Sequence, residues 1–254
     1  MKQGFLIPVY RHAATAGPLA EKLSAFGLPI ILVDDGNTQE AKDCLGQWAA
    51  KIPCVILVSL KKNSGKGGAV MRGIEKAAEL GLTHVLQIDA DGQHDIKNAA
   101  FFLEESARNP KNIICGYPEF DETAPKSRVT GRKISNFWAA VTSLSGEFRD
   151  VLCGFRVYPV DAALRASRHL LIDKRMGFDP EILIRLYWKG VFPIYHPIKV
   201  SYPQGGISNF HMVKDNLRIS WMFSRLCAGM LIRLPFLLVM RICRQRRKGS
   251  HEKS

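Results

Sequence analysis

Short apolar runs rich in β-branched residues alternate along the chain with longer segments whose apolar residues have helical spacing. The apolar runs are residues 5–9, 30–33, 55–60, 84–88 and 112–115, and the helical segments are residues 14–26, 40–50, 68–80 and 97–108. Such alternation is typical of parallel strands, because each helix returns the chain to the start of the next strand. It predicts an α/β fold with a doubly wound, mainly parallel central sheet flanked by helices.

Length and composition fit one domain of this kind with an appendage. A chain of 254 residues, 46% of them apolar, is long enough to bury a sizeable core. We expect a domain at residues 1–208 and a basic tail at residues 209–254. The six cysteines lack metal-ligand spacing and are expected to be reduced thiols of a cytosolic protein. The first apolar run, broken by Pro8, is too short for a signal peptide.

Polar residues follow the first four predicted strands, and ligands of doubly wound sheets bind beyond these carboxyl ends. The residues are Pro8 and Tyr10 after the first strand, Asp34 and Asp35 after the second, Lys66 within a glycine-rich loop after the third, and Asp89 and Asp91 after the fourth. Aromatic, acidic and basic groups on one rim are what a nucleotide diphosphate with its metal ion requires. The sequence therefore predicts a site for such a ligand.

Asp89 and Asp91 are the candidate metal ligands. Carboxylates at positions i and i+2 of a strand end point the same way, so both can reach one hard cation, with Gln93 or His94 as a further ligand. An ion held by few carboxylates completes its shell with water and phosphate oxygens. The alternative is an ordinary surface loop, and His94 is more typical of a loop than of a ligand.

The glycine-rich loop at residues 61–68 resembles a phosphate cradle that opens a helix. It is not a Walker loop, because Lys66 is followed by Gly67 rather than by Ser or Thr, and its spacing does not fit the dinucleotide-binding fingerprint. A plain flexible turn is the alternative.

Five segments together resemble the family 2 glycosyltransferases, and most closely the dolichyl-phosphate mannose synthase-like branch. They are residues 7–10 (Ile-Pro-Val-Tyr), 33–36 (Val-Asp-Asp-Gly), 63–67 (Asn-Ser-Gly-Lys-Gly), 88–93 (Ile-Asp-Ala-Asp-Gly-Gln) and 150–156, where Asp150 precedes Gly154-Phe155-Arg156. The resemblance implies a GT-A fold, a nucleotide-diphosphate sugar donor, a Mg²⁺ or Mn²⁺ ion, and inversion at the anomeric carbon. Residues 153–159 and 197–208 also resemble family 2 enzymes encoded with aryl polyene biosynthesis genes.

The resemblance also implies a role for individual residues. Pro8, Tyr10 and Asp34 or Asp35 would hold the base and ribose, and Lys66, Asp89 and Arg156 would lie around the donor. Asp91 and Asp89 would bind the metal with Gln93 as a third ligand, and Asp150 would lie near the acceptor. Arg128 and Arg132 lie outside these motifs and are candidate donor-binding residues because of the basic segment that contains them. The chain departs from the family at Arg11-His12 and at Asn37, where Asn-Glu and Ser are usual. The base therefore stays open, and either a UDP-sugar or a GDP-sugar is expected.

Asp150 and Asp89 are the candidate catalytic residues. Asp150 is interpreted as the general base or acceptor-orienting group for a hydroxyl acceptor, whereas a lipid phosphate is already ionised and needs no base. The alternative for Asp150 is a loop cap or an ion pair with Arg149 or Arg156. Asp179 and Glu181 are weaker candidates, because Asp179-Pro180 could simply begin a helix.

Two basic segments remain. Residues 121–133, with Lys126, Arg128 and Arg132, are predicted to form a mobile loop that closes over the donor or grips an acceptor phosphate, or else a solvated basic loop. The tail holds ten Lys or Arg residues against Asp215 and Glu252, which gives +8 of the total net charge of +13. Its apolar runs at residues 226–232 and 234–240 are separated by Arg233 and Pro235, so each is too short to span a bilayer.

The tail is therefore predicted to be an interfacial amphipathic helix on an anionic membrane surface, at the cytoplasmic face of a bacterial inner membrane. A helix packed on the catalytic domain is the alternative, and no motif indicates a nucleic acid partner. We predict a metal-dependent, inverting glycosyltransferase with a lipid-like or membrane-associated acceptor. The alternative is a non-catalytic nucleotide-sugar or nucleic-acid binding protein with the same fold, which the intact Asp89, Asp91 and Asp150 disfavour.

Overall fold

The computed structural model describes residues 1–119, 126–168, 172–200 and 212–251, without the side chains of residues 126–128, 212 and 245–251. The strands are β1 (Gln3–Val9), β2 (Ile30–Asp34), β3 (Val55–Ser59), β4 (His84–Gln87), β5 (Ile113–Glu119), β6 (Arg156–Pro159) and β7 (Pro193–Lys199). The helices are α1 (Ala13–Ser24), α2 (Gln39–Lys51), α3 (Lys66–Glu79), α4 (Asn98–Arg108), α5 (Lys126–Ser143), α6 (Val160–Ser167), α7 (Phe178–Trp188) and α8 (Met212–His251).

All seven of these strands form one sheet, in the order β3-β2-β1-β4-β6-β5-β7. Strands β1 to β4 are parallel to their neighbours among themselves, β5 is parallel to β7, and β6 is antiparallel to both β4 and β5. The predicted α/β fold with a mainly parallel sheet flanked by helices is confirmed. Because β1 to β4 run the same way, their carboxyl ends meet along one edge, as the sequence predicted.

The core lies on both faces of the sheet, because successive side chains of a strand point to opposite faces. Leu6 of β1 packs with α3, α6 and α7, whereas Phe5 and Ile7 pack with α1 and α4. Strand β2 divides its side chains in the same way and is buried along its whole length. Burial on both faces explains why these strands are continuous apolar runs in the sequence.

The prediction of a loop at residues 121–133 is wrong from Lys126 onward, because helix α5 begins at that residue. Ala139 on the helix joins the core, and Trp188 of α7 donates a hydrogen bond to the carbonyl oxygen of Thr142, so tertiary packing stabilises a segment that looks polar in sequence. Residues 121–125 lie outside the described part of the chain.

Arg233 and Pro235 do not interrupt the secondary structure, because α8 continues through both residues, so the two apolar runs belong to a single helix. A proline inside a helix removes one backbone hydrogen bond, but here the helix is held on both sides of it. Leu226 and Leu237 are both buried in the core, and Arg244 forms an ion pair with Glu147 at 2.6 Å. By length and composition, residues Val213–Arg244 could cross a membrane. The expected domain boundary after residue 208 lies within the undescribed residues 201–211.

Candidate active site

A cleft of about 1570 Å³ opens at the carboxyl ends of β1 to β4. The rim of the sheet contributes residues that the sequence singled out, namely Pro8, Tyr10, Asp35, Lys66, Asp89, Asp91 and Gln93. The opposite walls come from α5, with Arg132 and Trp138, and from the first half of α8, with Lys214, Arg218 and Phe223. The predicted rim residues therefore share one cleft, and α8 is an unpredicted wall of it.

Lys66 lies at the centre of the site, between two carboxylates. Its Nζ is 2.8 Å from Asp89 Oδ2 and 2.8 Å from Asp179 Oδ2. The side chains of Lys66 and Asp89 are each 20% exposed, and that of Asp179 is 6% exposed. Gln87 donates to the other oxygen of Asp89 at 3.1 Å. Asp179, a weaker candidate from the sequence, thus forms one cluster with Lys66 and Asp89.

Lys66 and Asp89 hold each other ionised. Burial opposes the charge of Lys66, but Asp179 and Asp89 more than offset it and raise the pKa of the ammonium group. Burial also opposes the charge of Asp89, yet Lys66 and His94 hold the pKa of that carboxyl far below its usual range. The stability from Asp89 is therefore present above about pH 4 and lost in stronger acid, whereas that from Lys66 is lost only above about pH 10. The pair stays charged at neutral pH.

Asp35 organises the glycine-rich loop. One carboxylate oxygen accepts hydrogen bonds from the backbone N–H and hydroxyl of Ser64, and the other accepts from the backbone N–H of Gly65 and the side chain of Asn63. Burial nevertheless raises the pKa of this carboxyl. Asp35 lines the cleft and fixes the loop that carries Lys66, so the loop is not the plain flexible turn of the alternative interpretation.

Asp34 and Asn37 have a structural role. Asp34 is fully buried, and its Oδ1 accepts hydrogen bonds from the backbone and side chain of Asn37. Asn37 also donates to the carbonyl oxygen of Val9 and accepts from the backbone N–H of Arg11. The departure from the family pattern at Asn37 therefore ties the ends of β1 and β2 together. Of the two candidate aspartates, Asp35 is the one that faces the cleft.

Glycine is required at two points next to Lys66. Gly65, with φ of 87°, has a left-handed conformation that begins α3. A Cβ atom at Gly154 would lie 2.7 Å from Lys66 Nζ and collide with the Asp89 carboxylate. The glycine of the Gly154-Phe155-Arg156 motif thus makes room for the Lys66–Asp89 pair.

Asp91 is more open than Asp89. One of its oxygens accepts the backbone N–H of Gln93 at 3.0 Å, and the described residues offer the other oxygen no hydrogen-bond or ion-pair partner. The His94 ring is 3.9 Å from Asp89 through Nε2 and packs against Phe155. Within the described ranges, no three His, Cys, Asp or Glu side chains are grouped as a metal site. An ion at Asp91 would therefore take most of its ligands from water or a diphosphate.

Asp150 caps a loop and pairs with an arginine. Its Oδ1 accepts the backbone N–H groups of Leu152 and Cys153, and its Oδ2 is 2.6 Å from Arg132. Arg132 lines the cleft, whereas Asp150 is 4% exposed and lies behind it. The loop-cap alternative thus describes Asp150 correctly, except that its arginine partner is neither Arg149 nor Arg156.

Two other predicted donor residues lie elsewhere. Arg156 is fully buried, and its guanidinium group donates to the carbonyl oxygens of Asp179 and Val151 at 2.7 Å, so it supports the site from beneath and does not face the cleft. Arg128 belongs to α5, but its side chain is outside the described part of the chain.

Glu181 connects α7 to α8. It is fully buried and forms ion pairs with Arg185 at 2.7 Å and with Arg225 of α8 at 3.3 Å. Further along α8, the Arg233 guanidinium group lies over the Trp188 ring at 4.9 Å. The wall that α8 adds to the cleft is therefore fixed to the domain. The sequence singled out Glu181 only as a weak catalytic candidate and did not indicate this connection.

Comparison with known proteins decides the family. The profile of glycosyl transferase family 2 matches residues 5–164, which is more than half of the chain. The chain belongs to this family. The family and the GT-A-type fold that the five motifs of this glycosyltransferase implied are therefore confirmed. The narrower resemblance to the aryl polyene enzymes stays a prediction.

Two relatives of the glycosyltransferase carry informative names. It is 31% identical over 214 residues to the dolichyl-phosphate beta-glucosyltransferase of Dictyostelium discoideum, across 78% of this chain and 64% of that protein. It is 29% identical over 195 residues to the UDP-N-acetylglucosamine–dolichyl-phosphate N-acetylglucosaminyltransferase of Methanococcus voltae, across 70% of this chain and 77% of that protein. The chain thus spans less than two thirds of the length of the Dictyostelium relative.

The fold is similar to that of the glucosyl-3-phosphoglycerate synthase from Mycobacterium tuberculosis in complex with Mn²⁺ and UDP-glucose. The TM-score is 0.61 at 17% identity, and the likeness covers 91% of this chain and 78% of the synthase. At this identity the likeness establishes the fold alone.

Proposed function

We propose that the protein is an inverting glycosyltransferase that moves a sugar from a nucleotide-diphosphate sugar to a membrane-embedded polyprenyl phosphate. The observation that carries the proposal is the composition of the cleft, in which the rim of the sheet faces a wall built by an amphipathic helix. The names of the Dictyostelium and Methanococcus relatives support a dolichyl-type phosphate acceptor. The name of the Methanococcus relative and the UDP-glucose in the synthase structure support a UDP-sugar over a GDP-sugar.

The donor would lie along the rim of the sheet. Tyr10 and Pro8 line the cleft at the end of β1 and offer apolar surface to a base, and Asp35 lies beside them as an acceptor for ribose hydroxyls. Lys66 is kept charged between Asp89 and Asp179, and its positive charge suits the diphosphate side of the donor.

A divalent ion, Mg²⁺ or Mn²⁺, fits at Asp91. This carboxylate lines the cleft with one oxygen free of protein partners among the described residues, and Gln93 beside it also lines the cleft. Asp89 is a weaker ligand than its spacing predicted, because Lys66 and Gln87 already bind its two oxygens. When bound, the ion would offset the charge that develops on the leaving diphosphate. The Mn²⁺ in the synthase structure supports the use of a divalent ion.

A phosphate acceptor agrees with the surroundings of Asp150. Both carboxylate oxygens already have protein partners, and the side chain lies behind Arg132 instead of lining the cleft, so Asp150 is poorly placed to contact an acceptor hydroxyl. An ionised phosphate needs no general base. In this mechanism Asp150 is a positioning residue that orients Arg132 at the cleft wall, and the chain's own contribution is placement of donor and acceptor.

We propose that α8 lies on the membrane surface. Its large exposed apolar residues are Val213, Leu217, Trp221, Leu231, Ile232, Phe236, Leu238, Val239 and Ile242. At 100° per residue they fall within about 160° of one another, opposite the buried Met222, Phe223, Leu226 and Leu237. Because this opposite face is packed on the domain, the helix presents its apolar face to a bilayer without leaving the protein. We propose a peripheral protein at the cytoplasmic face, with residues 209–254 as its membrane-associating part.

Polar substitutions on the exposed face of α8 are expected to release the protein from membranes. The variant Ile232→Gln/Phe236→Gln/Val239→Gln should bind anionic vesicles at least about a hundredfold more weakly, because each apolar side chain lost from the bilayer interface removes about 1 kcal/mol or more. Vesicle flotation measures this. Phe101→Gln/Leu80→Gln alters exposed apolar residues away from α8 and should float like the original protein. Equal loss in both variants would contradict the assigned face.

The function itself is tested with a donor panel. The full-length protein is mixed with UDP- and GDP-sugars, Mg²⁺ or Mn²⁺, and vesicles with or without polyprenyl phosphate, and the glycolipid is detected by mass spectrometry. Glycosylated polyprenyl phosphate and free nucleoside diphosphate in equal amounts are the expected products. Donor binding without turnover on any lipid extract would instead favour the non-catalytic binding protein.

A further inference from the structure

We infer that Lys214 and Arg218 of α8 form a binding subsite for the phosphate head group of the lipid acceptor. This inference rests on the proposed function and adds the residues that recognise the acceptor. Both side chains line the same cleft as Asp89 and Asp91, but on the wall opposite the rim of the sheet. They are four residues apart on one helix, so they project in nearly the same direction.

The charges of these two residues are available to a ligand, unlike those of Lys66 and Arg132 in the same cleft. Lys66 is bound by Asp89 and Asp179, and Arg132 is bound by Asp150. Neither Lys214 nor Arg218 has a hydrogen-bond or ion-pair partner in the described part of the chain. Lys214 is exposed, and Arg218 is half-buried at the cleft. Two unpaired positive charges in a cleft suit a phosphate monoester, which carries close to two negative charges at neutral pH.

The surroundings of the pair favour a phosphate that carries an apolar chain. On the helix, Lys214 and Arg218 lie toward one edge of the exposed apolar face, close to Leu217 and Trp221, which are 68% and 66% exposed. Trp138 of α5, 39% exposed, continues the apolar surface into the cleft. A head group held at Lys214 and Arg218 therefore leaves its chain directly over the surface proposed to contact the bilayer. A free phosphate would use the charges but not this apolar surface.

The test measures binding as well as turnover. A water-soluble, short-chain prenyl phosphate is titrated into the full-length protein by isothermal titration calorimetry, and its alcohol is titrated in parallel. The variant Lys214→Gln/Arg218→Gln should bind the prenyl phosphate at least about a hundredfold more weakly, because it loses two charge-assisted hydrogen bonds and each of them contributes about tenfold or more to affinity. Its affinity for UDP should not change. Inorganic phosphate should bind more weakly than the prenyl phosphate.

The control removes the same charge elsewhere. Arg241→Gln/Lys189→Gln changes two exposed basic residues that do not line the cleft, and it should bind the short-chain phosphate like the original protein. Equal loss in both variants would overturn the subsite in favour of general charge attraction, and no loss at Lys214→Gln/Arg218→Gln would overturn it outright. Turnover in vesicles separates the two proposals. If prenyl phosphate binding depends on Lys214 and Arg218 but no sugar is transferred, the subsite is supported and the proposed function is contradicted.

Discussion

Replacing Lys66 with methionine is expected to lower the free energy of unfolding by about 3 kcal/mol and to abolish measurable sugar transfer. The substitution leaves Asp89 and Asp179 facing each other in a largely buried site without their shared cation. Removing one partner of a buried ion pair typically costs about 3–5 kcal/mol, and the 20% exposure of Lys66 and Asp89 favours the lower end. The melting temperature should fall by about 6–12 °C.

A matched control is available on the same helix. Lys76 forms an ion pair with Glu79 at the same distance of 2.8 Å, but on the exposed face of α3. Lys76→Met should leave the melting temperature unchanged, because exposed pairs contribute little. Adding Asp179→Asn to Lys66→Met should restore part of the lost stability but not the activity, since it removes one of the two stranded charges. If Lys66→Met melted no lower than Lys76→Met, the charge cluster would not be the centre of the site.

Replacing Asp91 with asparagine is expected to lower turnover by about 10²–10⁴-fold with little change in stability. The cause is the loss of several kcal/mol of stabilisation of the leaving diphosphate, which a divalent ion at this carboxylate would supply. The fold should tolerate the change, because the asparagine side-chain oxygen can still accept the backbone N–H of Gln93. Steady-state release of nucleoside diphosphate, measured across a range of Mg²⁺ and Mn²⁺ concentrations, checks the prediction.

Asp95 provides the comparison. It accepts the backbone N–H of Lys97 in the same way that Asp91 accepts that of Gln93, yet it does not line the cleft. Asp95→Asn should keep normal turnover and metal dependence. A normal rate for Asp91→Asn, or a comparable defect in both variants, would rule out Asp91 as the metal ligand.

Much of the fold was predictable because strands β1, β2 and β4 are buried on both faces. The apolar run of β2, for example, has a single interpretation in an α/β chain. Strand β6 was missed because it has four residues and begins with Arg156, whose charge is satisfied by carbonyl oxygens that only the folded chain supplies. Strand β7 was missed because Pro193 and Pro197 are unusual in a strand, and here it pairs with one neighbour, β5.

The site was predictable where it depends on strand ends and not where it depends on distant partners. Asp35, Lys66, Asp89 and Asp91 meet because parallel strands bring their carboxyl ends together. Asp179 joins Lys66 from a helix more than a hundred residues later, and no local pattern encodes that contact. The wall from α8 depends on the packing of a helix whose apolar residues lie on two opposite faces, so its sequence alone does not say which face is buried.

The arginine contacts of α8 have a consequence for how the helix can vary. Arg225 meets Glu181, Arg233 meets Trp188, and Arg244 meets Glu147 at successive points along one rod. One inserted or deleted residue between the first two contacts would turn everything beyond it by about 100°. The later arginines would then leave their partners, and the exposed apolar side chains would rotate toward the core. Side chains on the outer face can therefore be exchanged for others of similar polarity, whereas the number of residues between the three arginines must stay the same.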